Sequence, residues 1–155
     1  MATFRHMTHA SDIEILDERG VPAVVVEVKS KLGTTPVWAA IARRNLAAHG
    51  WLPNARFFVL AVPDRLYFWV NKTTRSDAVP PDFITSSLPP LSPYLETAGI
   101  APEDLSRASF EFLVSGWFAE LARDPAGARL PADAIDWAEQ TGFLEAVRRG
   151  RLELH

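Results

Sequence analysis

The run Val21-Pro-Ala-Val-Val-Val-Glu-Val-Lys-Ser-Lys31 constrains this chain most. β-Branched side chains crowd the preceding turn of a helix but pack well on a pleated surface, so the run reads as a central strand. Side chains two apart on a strand share a face. Val24, Val26 and Val28 therefore point one way, and Ala23, Val25, Glu27, Lys29 and Lys31 the other. The second face begins apolar and ends charged. A carboxylate and a lysine thus leave a buried strand near its C-terminal end.

The segment before it supplies a partner strand. Asp12-Ile-Glu-Ile-Leu16 alternates polar and apolar residues as a half-buried strand does, and Asp17-Glu-Arg-Gly20 has turn composition. Together they predict an antiparallel hairpin. A two-residue loop at Glu18-Arg19, or a four-residue loop over residues 17–20, sets Leu16 opposite Val21 and Asp12 opposite Val25. Opposed residues share a face, so Asp12 joins Glu27 and Lys29, diagonal to Glu27 at roughly 7–8 Å between backbones. A three-residue loop or a bulge reverses that parity.

Further along, Gly33-Thr-Thr-Pro36 is a helix start, with Thr35 as cap and Pro36 at the first helical position. The helix is expected over 36–49 and ends at Gly50. Val37, Trp38, Ala40 and Ile41 form its apolar side, and Arg43, Arg44 and Asn45 a polar stretch. FFVLAV (57–62) and LYFWV (66–70) flank Pro63-Asp64-Arg65 as a second hairpin. Residues 73–93 hold five prolines and read as a connector or lid. Beyond it, residues 106–123 place Phe110, Leu113, Val114, Trp117 and Leu121 at helical spacings. Two shorter helices are expected over 131–141 and 143–149, separated by Gly142, and residues 151–154 can add an edge strand. The order predicts a mixed α/β fold in one domain over 1–155: sheet and core helix in 12–70, a proline-rich connector in 71–94, and a helical part in 95–155.

Composition narrows the function classes only slightly. With 155 residues, 48% of them hydrophobic and 23% charged, the chain can bury one genuine core. No stretch approaches the run of about 18 apolar residues that a membrane span needs, and the first residues lack a signal peptide's apolar core. There are no cysteines, hence no disulfides and no thiolate metal sites; a cytoplasmic location is the expectation. A net charge of −3 argues against coating nucleic acid by bulk positive charge but leaves room for a local basic patch.

The chemistry-bearing set is Asp12, Glu27 and Lys29. Two carboxylates on one face can share a hard cation such as Mg²⁺, which keeps several waters and binds through one or two carboxylates. Such an ion neutralises phosphoryl oxygens and activates water, and a nearby lysine can orient that water or steady developing charge. Asp12, a short strand and turn, then VVVEVK (24–29) resembles the PD-(D/E)xK nuclease superfamily. EVKSKLGTTPVWAAIARRNLAAHG and FFVLAVPDRLYFW are similar to a bacterial, restriction-endonuclease-like branch of it. Weaker similarity runs through FEFLVSGWFAEL and TGFLEAVRRGRLEL.

The resemblance implies a restriction-endonuclease-like core: a mixed sheet of four or slightly more strands flanked by helices. It further implies metal ligation by Asp12 and Glu27, with the Val28 carbonyl as a third ligand and Lys29 as the catalytic lysine. The implied activity is Mg²⁺-dependent endonuclease cleavage of DNA, with Mn²⁺ as an alternative ion and a homodimer as a plausible assembly. Lys31, Arg43 and Arg44 are the candidates for phosphate contacts. Two departures stand out. Ser11 replaces the proline that commonly precedes the aspartate, and MATFRHMTHAS is short for the opening helix of the family, as in a trimmed relative or a truncated chain. A catalytically inert nuclease-like module that binds nucleic acid or a protein partner is the alternative.

Other residues carry blander expectations. Glu-x-Lys alone is more often a solvated ion pair than a catalytic site, and Asp12 together with the valines is what raises it. Asp64 and Asp82 follow prolines in turns and are rejected as ligands. His6, His9, His49 and His155 have no metal-ligand spacing. Trp38, Trp51, Trp69, Trp117 and Trp137 are expected to pack in the core.

Overall fold

A computed structural model describes residues 12–50, 52–73 and 75–155. The valine run forms β2 (Pro22–Val28), which pairs antiparallel with β1 (Ile13–Leu16). Helix α1 (Pro36–Ala48) then carries the chain to β3 (Phe57–Val62), which lies parallel to β2. β4 (Arg65–Val70) returns antiparallel to β3, and β5 (Phe83–Ser86) pairs antiparallel with β4. Four helices follow: α2 (Leu88–Ala98), α3 (Arg107–Arg123), α4 (Ala132–Thr141) and α5 (Phe143–Arg149). β6 (Arg151–Leu154) pairs with β1 at the far edge, as an added edge strand was expected to do. Among the described residues the sheet has six strands in the order β5-β4-β3-β2-β1-β6, where four or slightly more were expected.

This order explains the valines. β2 and β3 are the central, parallel pair, and strands covered on both faces read as continuous apolar runs. One face carries Ile13, Val24, Val26, Val28, Phe57 and Phe68 against Leu91, Phe110, Trp117 and Phe143 of the C-terminal helices. The other carries Val25, Phe58, Leu60, Tyr67 and Trp69 against Ala39 and Leu46 of α1. Trp69 and Trp117 are buried and their indole N–H groups donate to Val79 O and Ala128 O, each at 2.8 Å. Trp137 stacks on Phe83 with centroids 5.2 Å apart. The mixed α/β class holds, with helices on both faces. No helix among the described residues is long and apolar enough to cross a membrane.

Several local expectations need correction. The first hairpin has neither expected loop: Leu16 pairs with Pro22, and Ile13 with Val26. Asp17 N–H donates to Val21 O at 2.8 Å, which leaves a three-residue turn at residues 18–20 with Gly20 at φ 80°. An odd turn alone would throw Asp12 onto the wrong face. A β-bulge between Ile15 and Leu16, where the partner skips from Val24 to Pro22, supplies a second odd step. The two cancel, so the facing is as expected while the register is two residues off.

Among its described residues the proline-rich segment is loop only as far as Asp82. It contains β5 and most of α2, because Pro89 and Pro90 fall in the helix's first turn, where their missing N–H has no intrahelical partner. Pro93 lies inside α2 and costs one backbone bond, while Leu91 and Leu95 are buried on one stripe. The apolar face of α1 matches the expectation at Ala40 and departs from it at Val37 and Ile41. Ala39, Ala40, Arg43 and Leu46 are buried, whereas Val37 is 70% and Ile41 38% exposed. Helix α1 begins as expected, with Thr35 Oγ accepting from Trp38 N–H at 3.1 Å.

Candidate functional site

The C-terminal end of β2 and the start of β1 meet at one end of the sheet. Ile13 and Ile15 point with Val24, Val26 and Val28 into the larger core, so Asp12 and Glu27 turn to the α1 side. Both carboxylates are buried, Asp12 at 2% and Glu27 at 5% exposure. Asp12 is fixed by backbone: its N–H donates to Val26 O at 3.1 Å, and its Oδ2 accepts from Val28 N–H at 2.8 Å. The strand itself is anchored there by Lys29 N–H donating to Ala61 O at 3.0 Å.

Glu27 is held far more loosely. Its Oε2 lies 3.8 Å from Lys29 Nζ, and its buried Oε1 has no hydrogen-bond partner among the described residues. Burial pushes the Glu27 pKa up to about 7, helped by the nearby Asp12 and Glu111 charges and opposed by Lys29 and Arg107. A buried, unpartnered carboxylate oxygen is costly, and such atoms in a native fold ask for an explanation. Oxygen donors from two carboxylates suit a hard divalent cation. The pair therefore fits Mg²⁺ or Mn²⁺ in donor chemistry. No group of three or more His, Cys, Asp or Glu gathers as a metal cluster among the described residues.

Two cations border the pair. Lys29 is 40% exposed at its side chain and lines a cavity of about 330 Å³ with Trp38, Ile41 and Asn45 of α1. Arg107, the first residue of α3, forms an ion pair with Asp12 Oδ1 and lies 3.9 Å from Glu111. Local structure delivers it. Ser106 caps α3 by accepting from Ser109 N–H at 3.1 Å, and Ser30 Oγ donates to Leu105 O at 2.5 Å. That last bond ties the residue just after β2 to the chain just before α3. Across the other side, Thr34 and Tyr67 share a hydroxyl hydrogen bond of 2.8 Å that holds the β2–α1 loop over the sheet.

Asp12, Glu27, Val28 and Lys29 are thus brought together, and Lys31 lies exposed just beyond them. Arg44 is exposed on α1. Arg43 is elsewhere: it is fully buried, and its guanidinium donates to Lys72 O, Arg75 O and Asp77 O at 2.6, 2.7 and 2.6 Å. It pins Lys72, Arg75 and Asp77 and does not face the carboxylates. Asp64 occupies the β3–β4 turn with a buried Oδ1 that has no hydrogen-bond partner among the described residues, and Asp82 has a local role, accepting from Val70 N–H at 2.8 Å and pairing with Lys72. His49 contacts Asn45 O at 2.7 Å and His155 lies 3.3 Å from Glu14. His6, His9, Trp51 and the segment before Asp12 lie outside the described residues.

No family model, curated protein or solved structure matches this chain. The site's chemistry therefore stands on its own geometry. Arg107 and Glu111 are the members that sequence reasoning missed. Arg107 is 95 residues from Asp12, and a basic residue after a helix cap carries no local sign of its partner. A larger cavity, about 730 Å³ and lined by Ala23, Arg56, Asn71 and Arg149, opens at the opposite end of the sheet. It shares no residue with the carboxylate pair.

Proposed function

We propose that this chain is a Mg²⁺-dependent endonuclease that hydrolyses phosphodiester bonds in DNA, with Mn²⁺ able to substitute. The observation that carries the reading is the buried Glu27 oxygen without a partner, beside Asp12 and Lys29 at the open end of a central strand. Asp12 and Glu27 would hold the ion, with the Val28 carbonyl as third ligand. When bound, the metal neutralises phosphoryl oxygens and makes a water more acidic. Lys29, its side chain 40% exposed, would orient the attacking water or steady charge on the phosphate. Lys31 and Arg44, both exposed, are available to backbone phosphates. A homodimer would present two such sites to a duplex.

The test is cleavage of supercoiled, linear, branched and single-stranded DNA by the wild type, Lys29→Ala and Glu27→Ala, with Mg²⁺ or Mn²⁺. Metal-dependent cutting in the wild type, lost in both folded variants, is the expected result. Cutting that survives Glu27→Ala would refute the site. A second reading, an inert nuclease-like module that binds nucleic acid or a protein partner, is favoured by one observation: Arg107 already neutralises Asp12. Under that reading the wild type binds DNA without cutting it and gives no heat with either metal in calorimetry.

A further inference from the structure

The two oxygens of Asp12 are held in different ways. Oδ2 accepts a backbone N–H from within the hairpin, a bond that cannot leave without breaking the strand end. Oδ1 is taken by the guanidinium of Arg107, which arrives from a different layer of the fold on a side chain that is 53% exposed. Any ion held by Asp12 must share or take the oxygen that Arg107 occupies. We infer that Arg107 is a displaceable counter-cation of the carboxylate pair: it closes Asp12 in the metal-free protein and yields it when a divalent cation binds. This rests on the metal-site reading above.

Charge favours the competition. Among the described residues, Asp12, Glu27 and Glu111 face Lys29 and Arg107, three acidic groups against two basic ones. A divalent ion added with both cations in place would set four positive charges against three negative ones, with like charges only a few ångströms apart. Moving Arg107 off Asp12 relieves that repulsion. The move is short, because Glu111 lies one turn along α3 and its carboxylate is already 3.9 Å from the Arg107 guanidinium. Arg107 therefore exchanges one carboxylate for another and keeps a partner.

A purely structural clamp would have a different form. Arg43 shows it in this same protein: fully buried, with its guanidinium committed to three carbonyls. Arg107 is half exposed, lies on the first turn of its helix, and has a second seat. Its backbone is placed firmly, through the Ser106 cap and the Ser30 to Leu105 bond, while its side chain is the adjustable part.

The experiment is a calorimetric titration of Mn²⁺ into metal-free wild type, Arg107→Gln, Arg107→Lys and Glu27→Gln at low ionic strength, with thermal melts of each. Removing the competing charge should tighten Mn²⁺ binding in Arg107→Gln by about tenfold or more, with little change in Arg107→Lys, which keeps the charge, and a loss in Glu27→Gln. Equal or weaker binding in Arg107→Gln, with the wild type binding Mn²⁺, overturns the inference and leaves the metal site standing. Absence of Mn²⁺ binding in every variant overturns both. Tighter Mn²⁺ binding in Arg107→Gln, together with no DNA cleavage by the wild type in the assay above, upholds the inference and removes the nuclease. Should Arg107→Gln fail to fold, Arg107→Met, which also removes the charge, carries the same comparison, and unchanged affinity there overturns the inference.

Discussion

Replacing Glu27 with glutamine should stabilise the metal-free protein, by an amount that depends on pH. The carboxyl is 5% exposed and its pKa rises from the ordinary 4.5 to about 7, first through burial and then through the Asp12 charge. The folded state therefore binds the proton more tightly than the unfolded chain does. Stability is at its highest, as far as this group is concerned, below pH 4.5, falls as pH rises to 7, and carries the full penalty above 7. At about 1.4 kcal/mol for each pKa unit, keeping the carboxylate ionised costs the fold about 3 kcal/mol at pH 8. Glutamine has nearly the same shape and no charge. For a domain of this size, about 2 to 4 °C per kcal/mol converts the gain into a rise in Tm of roughly 6–12 °C. Thermal melts of wild type and Glu27→Gln in EDTA, at pH 5 and pH 8, read both numbers. A gap that is large at pH 8 and small at pH 5 is the expected outcome. A Glu27→Gln protein no more stable than wild type at pH 8, or a gap equal at both pH values, would refute the burial argument.

Two further predictions concern the frame that holds the site. Arg43→Lys loses the planar fork that reaches three carbonyls, and leaves some of them buried and unpaired; it should cost about 2–3 kcal/mol in urea unfolding, and a loss under about 0.5 kcal/mol would refute the clamp. Gly150→Ala should cost about 1–3 kcal/mol by the same assay, since a Cβ there would lie 2.2 Å from Ile15 Cγ2, 2.9 Å from Ala146 O and 3.0 Å from Leu16 O; an unchanged midpoint would mean that the α5–β6 junction gives way.

Much of this fold was legible in local pattern. A valine run had to be a strand, Thr35-Pro36 had to open a helix, and the period-three-and-four stripe through Phe110, Val114 and Trp117 had to face a core. These features rest on steric preferences and spacing, which act within a few residues. The expectation for residues 73–93 failed from Phe83 onward because proline density was weighed without position, and the first turn of a helix accepts what its interior refuses. The α1 face was misassigned for a related reason. An arginine counts as polar in any pattern, yet three carbonyls from another segment let it be buried.

The carboxylate pair shows where the division falls. Alternation along β2 put Glu27 and Lys29 on one face from the sequence alone, since the pleat has a period of two. Asp12 joined them only through a turn and a bulge whose two odd steps cancel, and no residue in the hairpin announces that bulge. Whether Glu27 would be buried, how its proton affinity would shift, and which cation would reach Asp12 depended on segments far apart in the chain. Strand and helix came from forces between neighbours in sequence. The charge state of the site came from forces between neighbours in space, and only the packed fold brings Arg107 to Asp12.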